Sequence, residues 1–143
     1  MTRVDFYVLK ESRPNARLGF ACRLVEKIYK KGHNILIHVD DLKQAGLIDE
    51  LLWTWRQGSF VPHELLESGQ SPAAPVLISH DPELEPDQNQ VLINLAEQVP
   101  LFFSRFERVA EIVDQDEQTR QSARQRYRFY KERGYPLHSH DLD

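Results

Sequence analysis

The stretch ARLGFACRLVEKIYKKGHNILIHVDD, Ala16–Asp41, carries a helix, a turn and a strand in succession. Leu18, Cys22, Val25 and Ile28–Tyr29 recur at helical spacing, which predicts an amphipathic helix over Ala16–Lys31. Gly32 ends it. Lys30 and Lys31 fall in the last turn, where cations complement the carbonyl end of the helix dipole. NILIHV, Asn34–Val39, follows as a strand. Asp40 and Asp41 then stand where a second helix needs acceptors for its first free N–H groups.

Working outward, Val4–Leu9 reads as a buried strand near the N-terminus, and Pro14 and Asn15 lie in the loop before the first helix. The second helix runs into LIDELLWTWRQGSFVPHEL, Leu47–Leu65. Leu47, Leu51 and Trp55 share one stripe, with Ile48 and Leu52 beside it. Trp53 and Trp55 are two residues apart, about 200° around a helix, so one of them faces away from the core. Gly58 and Ser59 break the helix, and Phe60–Pro62 is expected as a short extended segment. Pro62 has no N–H to give a ladder, so that segment belongs at an edge.

Pro75–Ser79 and Val91–Leu95 read as strands, with the acidic, exposed loop HDPELEPDQNQ, 80–90, between them. Pro100–Phe106 is an aromatic-rich helical turn, Val109–Val113 the final strand, and Asp116–Arg133 the last helix, closed by Gly134. The tail, 135–143, is expected to be loosely held. Strands separated by helix-length segments indicate a single α/β domain over 1–143, in three layers, with a largely parallel sheet flanked by helices on both faces. The architecture expected is Rossmann-like.

A doubly wound sheet raises the question of nucleotide binding. The turn after the first strand, KESRPNARLG, lacks both G-x-G-x-x-G and G-x-x-x-x-G-K-[ST], so no backbone cradle for a pyrophosphate is predicted. Cys22 is the only cysteine; it fits a reducing compartment, and its place in an apolar helix stripe makes it core rather than nucleophile. The six histidines are scattered, and His138 with His140 is too few ligands for a metal site. His80–Asp81, after the Pro75–Ser79 strand, is the least implausible catalytic position, at the carboxyl edge of the sheet. No cofactor, metal or catalytic residue is expected. The N-terminus is too charged for a signal peptide and no apolar run approaches membrane-spanning length, so a cytoplasmic protein is expected.

Charge is unevenly placed. The chain carries −4, yet Gln118–Arg133 holds six bases and one acid, a net of +5. Arg120, Arg124, Tyr127 and Lys131 are spaced i, i+4, i+7 and i+11 and share one face. Two arginines flanking a tyrosine can grip a carboxylate and a neighbouring ring together. A plain solvated outer helix has the same composition, and Tyr127, Phe129 and Tyr130 could also serve as platforms for direct binding of single-stranded DNA. A small nucleotide-dependent enzyme on the doubly wound fold is a further alternative.

A set of motifs narrows these readings. DFYVL at Asp5–Leu9, ACRLVEKIYKKGHNILIHVDD at Ala21–Asp41, LLWTW and GSFVPHEL within Leu51–Leu65, APVLIS at Ala74–Ser79 and ARQRYRFYKERGYPL at Ala123–Leu137 come in an order that resembles the chi subunit of bacterial DNA polymerase III. The resemblance implies a non-catalytic replication accessory subunit of the clamp-loader complex. It implies that Arg124 and Tyr127, flanked by Arg120 and Val113, bind the acidic C-terminal tail of single-stranded DNA-binding protein, which ends in a phenylalanine. It also implies that Trp53 and Phe60 dock the psi subunit or another clamp-loader-side partner, a helicase included. The chain departs from the pattern at Trp55, in the acidic loop and in the tail.

Overall fold

The computed structural model describes residues 1–66, 73–87 and 89–142. In chain order its elements are β1 (Arg3–Val8), α1 (Ala16–Lys30), β2 (Ile35–His38), α2 (Leu42–Thr54), β3 (His63–Leu65), β4 (Val76–Ser79) and β5 (Val91–Asn94). A 3₁₀ turn (Leu101–Arg105), β6 (Arg108–Val113), α3 (Glu117–Glu132) and β7 (Leu137–Asp141) complete it. The strands form one sheet in the order β3-β4-β2-β5-β6-β1-β7, and every pairing is parallel.

A parallel sheet has to be covered on both faces, and strand alternation supplies two apolar surfaces here. Ile35, Ile37, Ile78, Ile93, Ala110 and Ile112 point toward α1 and α2, where they meet Ala21, Cys22, Val25, Ile48 and Leu52. Val4, Phe6, Leu36, Leu77, Leu92 and Val109 point the other way, toward Phe102 and Phe103 of the 3₁₀ turn and Ala123 and Tyr130 of α3. The three-layer reading is therefore correct. Within α2 the deeply buried positions are Ala45, Ile48 and Leu52, while Leu47 is 41% exposed. The stripe read from Leu47 to Trp55 is the rim of the buried face rather than its centre. Cys22 is fully buried, and burial pushes its thiol up to about 12.

Three expectations are corrected. The segment after Gly58 does not form its strand at Phe60–Pro62; the strand is His63–Leu65, just beyond the proline, and it is an edge strand as the proline argument required. Val109–Val113 is not the last strand. The tail is not loose: Leu137–Asp141 pairs with β1 from Val4↔Leu137 to Val8↔Asp141, and the Leu142 N–H donates to the Val8 carbonyl at 2.9 Å. His140 anchors the strand, its ring 4.9 Å from that of Tyr7 and its Nε2 2.9 Å from the Asp5 carboxylate. An edge strand held by its backbone ladder and one polar anchor needs no apolar run, which is why LHSHD gave no strand signal. The acidic 80–90 connection has neither helix nor strand among its described residues, and Leu84 packs against the α3-side core.

Candidate functional site

Two surfaces stand out, one at the end of α2 and one on α3. Asp41 caps α2 by accepting from the Gln44 N–H at 2.8 Å, and the helix ends at Trp55. Gly58 (φ 83°) makes the turn that follows, in a region open to glycine and costly for other residues. Trp55 folds back against the α1-side core with the Arg56 guanidinium over its ring. Trp53 is the outward ring of the pair, 50% exposed. Its centroid lies 5.7 Å from Phe60, itself 68% exposed, and 4.3 Å from the His63 ring.

The loop that carries Phe60 is tied at both ends. His63 is buried, with Nδ1 2.7 Å from the Val61 carbonyl and Nε2 3.1 Å from the Asp49 carbonyl. On the other side the Ser59 hydroxyl donates to Glu26 of α1, and Arg56 pairs with the same carboxylate at 2.9 Å. The Ser59 hydrogen bond, then Lys30 and Arg56, hold the Glu26 carboxyl below the usual range. Trp53 and Phe60 thus form an exposed apolar pair on a loop held at both ends.

The α3 surface is built differently. Asp116 caps the helix through the Thr119 N–H at 3.1 Å, and Gly134 (φ 79°) closes it with the Tyr135 N–H returning to the Tyr130 carbonyl. Ala123, Arg126 and Tyr130, at i, i+3 and i+7, form the inner face. Arg126 is 4% exposed and donates to the fully buried Glu111 of β6 at 2.8 Å and to the Glu97 carbonyl at 3.0 Å. The Tyr130 hydroxyl and the Asn94 amide donate to the other Glu111 oxygen at 2.7 and 3.0 Å. Burial first, then the Glu111 charge, raises the Tyr130 hydroxyl well above its ordinary value.

The charge count on α3 changes accordingly. Arg126 belongs to the core, leaving five outward bases. Arg124 and Arg128 are exposed, Arg120 is half-buried, and none of the three is held by a carboxylate among the described residues. Tyr127 is 36% exposed and packs edge-on against Phe6 of β1 at 5.2 Å, so the ring is fixed while its outer side stays open. One turn separates Arg124 from Tyr127 on that side. Val113 ends β6, buried in the same cluster as Phe6 and Ala123. The structure therefore puts Arg120, Arg124 and Tyr127 on one outer surface, with Val113 in the apolar layer beneath it.

The same view removes most of the direct DNA platform read on α3. Tyr130 is fully buried, and Phe129 is half-buried under the Arg133 guanidinium, 3.6 Å from its ring centroid. Sequence reasoning missed the Glu111–Arg126–Tyr130–Asn94 network. Its signal was present: an arginine on the Ala123–Tyr130 stripe, and an acid inside the apolar run RVAEIV.

The marked surfaces of this α/β domain are an exposed aromatic pair and a helix face whose cations meet no carboxylate among the described residues. Comparison with known proteins gives the particular kind. The family described as DNA polymerase III chi subunit, HolC, matches residues 1–138. The DNA polymerase III subunit chi of Pseudomonas aeruginosa is 44% identical over 144 residues, covering 99% of this chain and 98% of that one. The Escherichia coli K12 subunit is 32% identical over 143 residues, with 97% of each covered, and the Haemophilus influenzae subunit 30% over 138, with 96% of each. The chain belongs to the DNA polymerase III chi subunit family, a replication accessory subunit. Among solved structures, that of T4 UvsW superposes with a TM-score of 0.66 at 7% identity, over 99% of this chain and 42% of that one, a likeness of fold alone.

Proposed function

We propose that this chain is a non-catalytic adaptor that joins the acidic C-terminal tail of single-stranded DNA-binding protein, on the outer face of α3, to a clamp-loader-side partner such as the psi subunit, on the Trp53–Phe60 face. The observation that carries the reading is the split within α3. Arg126 is held by Glu111, while Arg124, two residues away, is exposed, without a carboxylate partner among the described residues, and one turn from the half-open Tyr127 ring. A terminal carboxylate pairs with such an arginine, a terminal phenyl ring packs against Tyr127, and preceding aspartates meet the remaining outward bases. Val113 supplies apolar floor and Arg120 a flanking charge.

Calorimetric titration of a tail peptide tests the tail-binding half. The wild-type chain is expected to bind the full peptide and to bind poorly a peptide lacking the final phenylalanine. Arg124→Ala weakens the full peptide by about 1.5–3 kcal/mol, the range for a hydrogen bond to a charged group. Equal affinity for wild type and Arg124→Ala removes the assignment.

A further inference from the structure

The net charge of −4 conceals a second cationic surface, on the opposite side of the sheet from α3. A groove runs along the outer flank of α1 above β1 and β7. It opens as two adjoining cavities, of about 610 and 540 Å³, that share Phe20, Arg23, Trp55 and Leu142 as common walls. Arg23, Lys27 and Lys31 stand along it at i, i+4 and i+8, one cation per turn of α1, and none of them meets a carboxylate among the described residues. At a rise of 1.5 Å per residue the cations from Arg23 to Lys31 span about 12 Å.

The groove's rings are the second observation. Three half-buried aromatics line it, each carrying a guanidinium: Arg23 over Phe20 at 5.8 Å, Arg56 over Trp55 at 5.5 Å and Arg108 over Tyr7 at 5.8 Å. The arginines are positioned from below or beside. Arg108 donates to Asp5 at 2.8 Å and to the Tyr7 hydroxyl, and Arg56 pairs with Glu26 at 2.9 Å. Rings that each have a guanidinium close by, beside cations spaced one per helical turn, suit a polymer that has both a planar group and a negative charge in each repeat.

We infer that the α1 groove is a binding track for single-stranded nucleic acid. Phosphates meet Arg23, Lys27 and Lys31, and bases pack against the Phe20 and Trp55 rings, without hydrogen-bond readout of sequence. A peptide of acidic residues alone satisfies the charges but has no π-face for the rings, and one ending in a single aromatic residue has only one, whereas a nucleic acid brings a base with every phosphate, which decides between the two polyanions. The site is separate from α3, where Tyr130 is buried and Arg133 lies over Phe129, and the inference does not depend on the tail-binding reading.

Fluorescence anisotropy of a labelled twelve-residue oligo-dT on the full chain provides the test. The expected result is binding that weakens with salt and shows no preference between oligo-dT and oligo-dA. The charge reversal Lys27→Glu/Lys31→Glu is expected to weaken it by about tenfold or more and to lower the slope of log affinity against log salt by about 2. Both residues are exposed, and circular dichroism with thermal melting confirms that the variant is folded. Tail-peptide titration of the same variant separates this outcome from any failure of the α3 assignment. Absence of oligonucleotide binding, binding insensitive to the double reversal, or displacement by an equal concentration of a twelve-residue polyglutamate overturns the inference.

Discussion

The α2 end and the outer face of α3 are both exposed, and they are built from opposite materials. At the α2 end two large rings stand out of the surface, and His63 and Ser59 beside them bond inside the protein, His63 with Val61 and Asp49 and Ser59 with Glu26. On α3 the apolar content is one half-open ring, and the exposed Arg124 and Arg128 meet no carboxylate among the described residues. The first surface offers area that is already ordered, so its recognition rests on shape and desolvation. The second offers charge on flexible side chains, so its recognition rests on attraction that salt weakens. On the proposed reading, one surface of each kind lets the chain hold two partners under different rules.

The largest expected effect tests the frame beneath that contrast. Arg126→Ala leaves Glu111 buried without its cation, and loss of one partner of a buried pair costs about 3–5 kcal/mol of stability. Arg124→Ala, two residues away on the same helix, is expected to change stability by less than about 0.5 kcal/mol. Urea unfolding of the two variants checks this. Similar midpoints for both would mean that the inner and outer arginines of α3 are not distinct in kind.

Next comes the apolar surface. Trp53→Ala or Phe60→Ala is expected to weaken a clamp-loader-side partner by about 2–4 kcal/mol, with little change in melting temperature and a small salt dependence. A core-sized loss of stability in either variant would show the ring to be structural. The basic surface follows with a smaller effect: the loss of about 1.5–3 kcal/mol in tail binding for Arg124→Ala, together with wild-type tail affinity that falls as salt rises through about 0.1–0.5 M. The contrast sharpens if the two partners respond to salt in opposite degree, and it breaks if both respond alike.

The residues themselves explain what could be read beforehand. The strands ILIH, VLIS and VLIN are buried on both faces, so their apolar runs announced a covered parallel sheet. Trp53 and Trp55 announced one outward ring by geometry alone. β7 stayed hidden because an edge strand is held by backbone bonds and by His140, neither of which leaves an apolar pattern. Arg126 stayed hidden because sequence counts charges without saying which are already paired, and Glu111 lies fifteen positions away on another element. The α1 groove stayed hidden for a third reason. Its aromatics come from β1, α1 and the end of α2, and only the fold brings Tyr7, Phe20 and Trp55 to one wall. Residues that share one helix face could be placed from the sequence, whereas groups brought together across the sheet could not.

The smallest expected effect concerns the edge that β7 closes. Asp5 is 1% exposed at the centre of a cluster formed by Arg3, Arg108 and His140. Burial alone would raise its pKa, but hydrogen bonds from His140, Arg3 and Arg108, with the Arg108 charge, outweigh burial and hold the carboxyl below its ordinary 3.8. A carboxylate depressed on folding adds stability that is complete above its unfolded pKa and is lost as pH falls through the lower folded value. The acid limb of the stability curve below about pH 4 is therefore expected to steepen because of Asp5. Asp5→Asn should remove that component, flattening the limb, while lowering stability at neutral pH because Arg108 loses its partner. His140→Ala should have the milder consequence, since its ring is partly exposed and exposed pairs contribute about 0–1 kcal/mol. Its effect should concentrate in β7, as faster hydrogen exchange of the amides that pair with β1. Urea unfolding from pH 2.5 to 7 and exchange of the 137–142 amides measure the two effects. Unchanged exchange in His140→Ala would mean that the backbone ladder alone fastens the strand.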